Sequence, residues 1–262
     1  DETGIEYAIF GHQYGTIIID VSSNPENPIE IANIPGPSNS DYYFHRDYKT
    51  YNHHLYIVNE MTGDDIGMQI IDLSPLPEDD PVKLTTYTGI GLSHNLWIDP
   101  TGYAFIESSW PDNVHIVDLT YPGDPMHIGS LENYQGYNCH DIFTKDGFAY
   151  VSEGWDSHYE IYDFSNFDNI QPLTTITPPN PGYAHNAWLN ENNNYLVTTE
   201  ETPNKTVKIW DITDLDNIEL AGEYLGENNL AHNVHIKGDL IYISHYTTGI
   251  KIVDMFNPYD PI

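Results

Sequence analysis

Apolar residues along this chain come in short runs rich in Ile, Val, Tyr and Trp, and polar turn residues break them at close intervals. The stretch from Ala231 to Asp254, AHNVHIKGDLIYISHYTTGIKIVD, shows the plan. It holds a His-Asn pair, an apolar run, a Gly-Asp turn, a run alternating Ile and Tyr, and after Gly249 a third run ending in Ile252-Val253-Asp254. The same parts recur upstream in the same order, as in His94-Asn-Leu-Trp-Ile98, Tyr103 to Glu107 and Val114 to Asp118. Runs of this length, enriched in β-branched and aromatic residues and bounded by Gly, Pro, Asn or Asp, read as strands. Nowhere does an apolar 3.6 period persist over a helix length.

The third run of each copy closes on an aspartate: Asp20, Asp72, Asp118, Asp163, Asp211 and Asp254. Their spacing, roughly 43 to 52 residues, is the period of a propeller blade and not of a helical repeat. With a fourth run after each turn, such as Val82 to Tyr87, the unit is four strands. The fold class expected is therefore all-β: a β-propeller of four-stranded antiparallel blades, with residues 1–262 forming a single domain. Six repeats are visible, at about 1–36, 37–90, 91–132, 133–178, 179–227 and 228–262. The first lacks an initial strand, and the last stops at Pro261-Ile262, where the other copies begin their final strand. Six or seven blades are expected in the intact ring, from a longer chain or by assembly through the incomplete end blades, since open strand edges invite association.

Charge narrows the partners. Forty acidic residues against 8 basic give a formal net charge of −32, which repels nucleic-acid backbones and favours cations. No apolar run is long enough to span a bilayer, and the single cysteine, Cys139, excludes an internal disulfide. No signal peptide opens the sequence at Asp1, so an exported form would already have lost it.

Candidate chemistry lies on the repeat itself. The first residue of one hairpin strand and the last of the next share an edge, pairing Arg46 with Glu60, His94 with Glu107, His140 with Glu153, His185 with Glu200, and His232 with His245. A ligand-binding rim of Arg46, Glu60, Glu107, Glu153, Glu200 and His245 is expected at the mouth of a central channel. His94, His140, His185 and His232 could ligate one transition-metal ion there, which would make the protein a metal-dependent enzyme. Against this, a His-Asn or His-Asp pair at each strand start can simply satisfy backbone groups, and catalytic sites usually break the symmetry of a repeat. The leading expectation is a binding or scaffolding module rather than an enzyme. Oxygen-rich loops at Thr62 to Asp65, Pro111 to Asn113 and Trp155 to Ser157 suit Ca²⁺ weakly, lacking the dense Asp spacing of a calcium loop.

The repeated Ile-Val-Asp element, with Arg46-Asp47, Ile57-Val-Asn-Glu60, Gly67-Met-Gln69, Ser93-His-Asn95, Cys139-His-Asp141, His232-Asn233 and Tyr246-Thr-Thr-Gly-Ile250, resembles the LVIVD-repeat β-propellers. More closely it resembles the choice-of-anchor B family of bacterial exported proteins. That resemblance implies a secreted or cell-surface location and partners drawn from extracellular proteins, polysaccharides or small molecules. It implies no catalytic mechanism. The loop Glu200-Glu201-Thr-Pro-Asn204 departs from the family, where a more acidic loop is expected, and no ligand role is expected of it.

Overall fold

A computed structural model describes residues 4–37, 45–107, 113–131, 139–167, 170–227 and 230–262. These form 22 strands, and the chain divides into two compact units, Asp1–Ser130 and Leu131–Ile262. Among the described residues no helix is long and apolar enough to cross a membrane.

The first unit holds three antiparallel sheets. One is β1 (Tyr7–His12), β2 (Gly15–Asp20) and β3 (Ile29–Pro35); the second is β4 (Arg46–Tyr51), β5 (His54–Asn59), β6 (Met68–Asp72) and β7 (Val82–Tyr87); the third is β8 (Asn95–Ile98), β9 (Tyr103–Glu107), β10 (Val114–Asp118) and β11 (Met126–Leu131). The second unit has the mirror count: β12 (Asp141–Lys145), β13 (Phe148–Ser152), β14 (Tyr159–Asp163) and β15 (Gln171–Ile176); β16 (Ala184–Leu189), β17 (Tyr195–Glu200), β18 (Val207–Asp211) and β19 (Glu219–Tyr224); and a three-stranded β20 (Ala231–Lys237), β21 (Leu240–His245) and β22 (Gly249–Asp254). Each sheet falls within one sequence repeat and is a meander of neighbours in chain order. At the chain end, Asp254 and Ile262 exchange both backbone hydrogen bonds (2.6 and 3.0 Å). Ile262 thus occupies the position from which the fourth strand starts in the preceding sheets, as Glu219 does opposite Asp211.

Local chemistry explains the meander. The hairpins β4–β5 and β12–β13 turn through Asn52-His53 and Asp146-Gly147, all four residues at positive φ. That is the I′ geometry whose twist matches the flanking strands, and it favours Asn, Asp and Gly because they tolerate the left-handed region. The periodic aspartate is a turn device too. Asp20, Asp72, Asp118, Asp163, Asp211 and Asp254 each accept, through Oδ1, the backbone N–H two residues on, at 2.7–3.0 Å. These Asx turns end the third strand and start the crossing to the fourth. Hydrogen bonds from Ser23, Ser74, Ser165 and Thr213 hold the carboxyls of Asp20, Asp72, Asp163 and Asp211 below the ordinary range.

The apolar faces of successive sheets close on each other. Ile18, Ile34, Leu55, Ile57 and Ile71 join the first two sheets, and Tyr56, Met68, Ile70, Leu96, Ala104 and Ile106 lie in the cluster joining the next two. In the second unit Val197, Ile209, Val234, Ile241, Ile243 and Val253 join the last two. Period-2 alternation in the inner strands delivers these residues to one seam.

Candidate functional site

Polar side chains at the strand starts link each sheet to the next. In the first unit His45 Nδ1 donates to the His94 carbonyl (2.8 Å), the two rings stack at 4.0 Å, and Asp47 Oδ2 accepts the N–H of Leu96 (3.0 Å). In the second unit His140 Nδ1 donates to the His185 carbonyl (2.9 Å), Asn186 Nδ2 donates to Asp141 Oδ2 (2.6 Å), and Asn186 Oδ1 accepts the N–H of Val234 (2.8 Å). The recurrent His-Asn and His-Asp pairs thus satisfy backbone groups of the following repeat, a role that repetition in the sequence suits.

The edge pairs expected from hairpin symmetry are corrected. Glu60 meets His45, not Arg46: Arg46 lies opposite Asn59, and the Glu60 N–H donates to the His45 carbonyl (3.1 Å). The Arg46 guanidinium turns to the His12 carbonyl and the Met61 sulfur. Asn95, not His94, lies opposite Glu107. The ladder between β12 and β13 ends at Asp141 opposite Ser152, and the Glu153 N–H turns away to the His158 carbonyl. Ala184 and Ala231 take the places opposite Glu200 and His245, because register shifts after these alanines leave His185 and His232 out of the pairing. A bulge re-aims the side chain it carries.

Burial corrects the rim further. Glu107, Glu153, Glu200 and His245 are buried instead of displayed. Glu200 forms an ion pair with buried Lys208 and accepts the Gly182 N–H at Oε1 (2.5 Å). His245 Nε2 accepts the Leu230 N–H (3.3 Å), which leaves the proton on Nδ1; burial, then Lys251, pulls its pKa down. Only Glu60 keeps an outward partner role: its Oε1 lies 2.8 Å from His94 Nδ1, and that bond holds its carboxyl below the ordinary range.

Of the four expected metal ligands, three come together in series, with ring centroids 4.0 Å apart for His140 and His185 and 4.1 Å apart for His185 and His232. Glu201 joins His185 and His232 as a third donor, and the ligand atoms of these three residues lie within 4.8 Å of one another. Among the described residues no other such group of His, Cys, Asp and Glu occurs. His140 is outside it, and His94 Nδ1 is engaged with Glu60 in the first unit. Glu201, from the loop expected to have no ligand role, is the residue that strand spacing missed. Its signal is alternation: the residue after an inward Glu200 turns outward. Of the oxygen-rich loops, Asp65 is tied to Lys83, and Pro111-Asp112 lies outside the described residues.

Around these histidines runs an aromatic strip. Trp155, 73 % exposed, packs edge-on to Tyr183 (centroids 4.8 Å); Tyr183 lies 5.2 Å from His140 and 6.1 Å from His185; and Tyr246 packs edge-on to His232 at 5.1 Å while its hydroxyl donates to Glu201. Burial, the Glu201 hydrogen bond and the Glu201 charge push the Tyr246 phenol up to about 12. His232, Ser244, His245, Tyr246, Gly249 and Ile250 line a hollow of about 320 Å³. A larger hollow of about 590 Å³ in the first unit, walled by Ile5, Tyr7, Ile9, Tyr51, Leu73 and Leu76, holds none of the expected site residues.

His158 lies apart from this strip's chemistry and reports on pH. Hydrogen bonding to Glu160, 3.3 Å from Nε2, outweighs burial and raises its pKa to about 8. A folded pKa above the unfolded value of about 6.5 gives stability that is fully present below about pH 6.5 and lost as pH rises through about 8. Unfolding free energies from urea titrations at pH 6 and pH 9 should differ by on the order of 1–2 kcal/mol more for the native chain than for His158→Gln. Equal differences in the two proteins would refute the pairing.

Comparison with protein-family models and with curated proteins finds no match. Solved structures do match. The periplasmic gluconolactonase PpgL of Pseudomonas aeruginosa aligns with a TM-score of 0.72 at 9% identity, over 95% of this chain and 75% of that one. A protein from Lactobacillus plantarum aligns at 0.70 and 12% identity, over 98% and 79%. The WD40 β-propeller domain of Doa1 aligns at 0.62 and 16% identity, over 86% and 69%. Likeness at these identities shows the fold alone. With six antiparallel sheets of three or four strands, the chain is a β-propeller protein. The fold class read from the repeat period stands.

Proposed function

We propose that the protein is an exported bacterial binding module of the choice-of-anchor B type, and that the strip Trp155, Tyr183, His232 and Tyr246, backed by buried His185, recognises a neutral polysaccharide. One observation carries the reading: an exposed tryptophan heads a continuous aromatic and imidazole path across three sheets, edged by the carboxylate of Glu201. Aromatic faces stack on the C–H faces of sugar rings, and imidazole and carboxylate groups bond to hydroxyls; a site of apolar surface with a few placed polar groups is the general form of a ligand site. The net charge of −32 repels acidic glycans and leaves neutral ones. Buried Glu200 accepts the Gly182 N–H next to Tyr183 of the strip. A catalytic four-His centre finds no comparable support, since only two of its members approach a common donor.

A microarray of neutral and acidic glycans tests this. Binding to neutral glycans is expected, and Trp155→Ala should weaken it about tenfold or more, as loss of an aromatic anchor does. Binding unchanged in both Trp155→Ala and Tyr246→Ala, or confined to acidic glycans, would overturn the reading.

A further inference from the structure

We infer that His185, His232 and Glu201 form a zinc site on the second unit, an inference that rests on reading this strip as the ligand-binding surface. The donor set is two imidazoles and one carboxylate, whose ligand atoms already lie within 4.8 Å of one another. Imidazole nitrogens are poor ligands for the hard cations Ca²⁺ and Mg²⁺, which take oxygen, and good ones for Zn²⁺. Two His and one Glu with a fourth position left to water or substrate is a composition that zinc accepts in tetrahedral geometry.

One edge of the tetrahedron is in place. His185 Nε2 and Glu201 Oε2 lie 3.5 Å apart. A charge-assisted hydrogen bond between them would be shorter, at about 2.7–2.9 Å. Two ligands at about 2.1 Å from one tetrahedral ion sit about 3.4 Å apart. The separation therefore matches a shared ion better than a direct pair.

The supporting contacts hold the donors as a metal site needs. The Tyr246 hydroxyl occupies Glu201 Oε1, which leaves Oε2 toward His185. The Thr199 hydroxyl donates to the His232 carbonyl, and His140 Nδ1 donates to the His185 carbonyl (2.9 Å), so both histidines are anchored through their backbone. The Tyr246 bond, made to the ligating carboxylate itself, fixes its orientation and tunes affinity. His232 also lines the hollow of about 320 Å³ with Ser244 and Tyr246, which gives the fourth position room for water or a sugar hydroxyl.

The test uses tag-free full-length chain stripped with chelator and titrated with ZnCl₂ by calorimetry, with circular dichroism of each sample checking the fold. A saturable step of about one zinc per chain is expected. Glu201→Gln, which keeps an oxygen for Tyr246, and His232→Asn should each weaken it by roughly tenfold or more, and Tyr246→Phe by about tenfold. His127→Asn, which alters an imidazole outside the donor set, should leave it unchanged. Cobalt loading of the unsubstituted chain reads the same site without any variant: the intense visible bands of tetrahedral Co²⁺ support it, and a pale octahedral spectrum overturns it. Absence of a saturable zinc step, or a step untouched by Glu201→Gln and His232→Asn, also overturns it. The glycan array run in chelator separates the two readings. Neutral-glycan binding without a zinc step removes zinc alone, whereas a zinc step without glycan binding removes the polysaccharide alone.

Discussion

Replacing Lys208 by Met should destabilise the protein by about 3–5 kcal/mol, the cost of leaving a buried charge without its partner. Lys208 is 3 % exposed and Glu200 2 %. The ammonium contacts Glu200 Oε2, with the Thr206 carbonyl at 3.4 Å and Glu223 Oε1 farther off at 3.9 Å. Glu200 Oε1 is taken by the Gly182 N–H. Methionine fills much the same volume, so the loss isolates the charge from the packing. Glu200 would then have to stay ionised without a counter-charge or take up a proton, and either way folding becomes less favourable.

The double variant decides whether the cost is electrostatic. In Lys208→Met with Glu200→Gln no charge remains, and the Gln carbonyl can still accept the Gly182 N–H. Most of the loss should return, because a buried ion pair replaced as a whole is often near neutral. Urea unfolding of the wild type, both single variants and the double variant gives the coupling directly. A Lys208→Met loss under about 1 kcal/mol would mean that water reaches Glu200 and that the pair is an ordinary surface ion pair.

What the sequence makes legible is what acts over short range. The closing aspartates repeat because each bonds the N–H two residues on, so the period of the fold is written in residues that can be counted. Asn52-His53 and Asp146-Gly147 announce their turns for the same reason. The site is less legible because its contacts join residues of different repeats. His45 meets His94 across 49 positions, and Asn186 meets Val234 across 48. A register shift of one or two residues, as after Ala184 and Ala231, re-aims a histidine without leaving a mark in composition. Glu200 and Glu201 show the limit most clearly. Glu200 ends β17 and Glu201 follows it, and only packing tells that Glu200 turns in to Lys208 while Glu201 turns out to Tyr246.

Packing also sets the second large effect, in the three-stranded sheet that ends the chain. Ile243 and Ile250 face each other's neighbourhood on β21 and β22, the ladder pairing Ile243 with Lys251 and Ser244 with Ile250. Yet Ile243 is 0 % exposed and Ile250 75 %. Ile243 lies in the seam with Val197, Val207 and Ile209 of the preceding sheet, so Ile243→Ala removes buried methyl groups and leaves a cavity that rigid strands close poorly. The expected loss is about 2–5 kcal/mol, and about 0.5–1.5 for Ile243→Val. Ile250→Ala, the same chemical change one strand away, should stay within about 0.5 kcal/mol. Chemical denaturation of the three variants checks the contrast. Equal losses at the two positions would mean that the last sheet is held by strand propensity, which both isoleucines supply, and not by its seam with β16–β19.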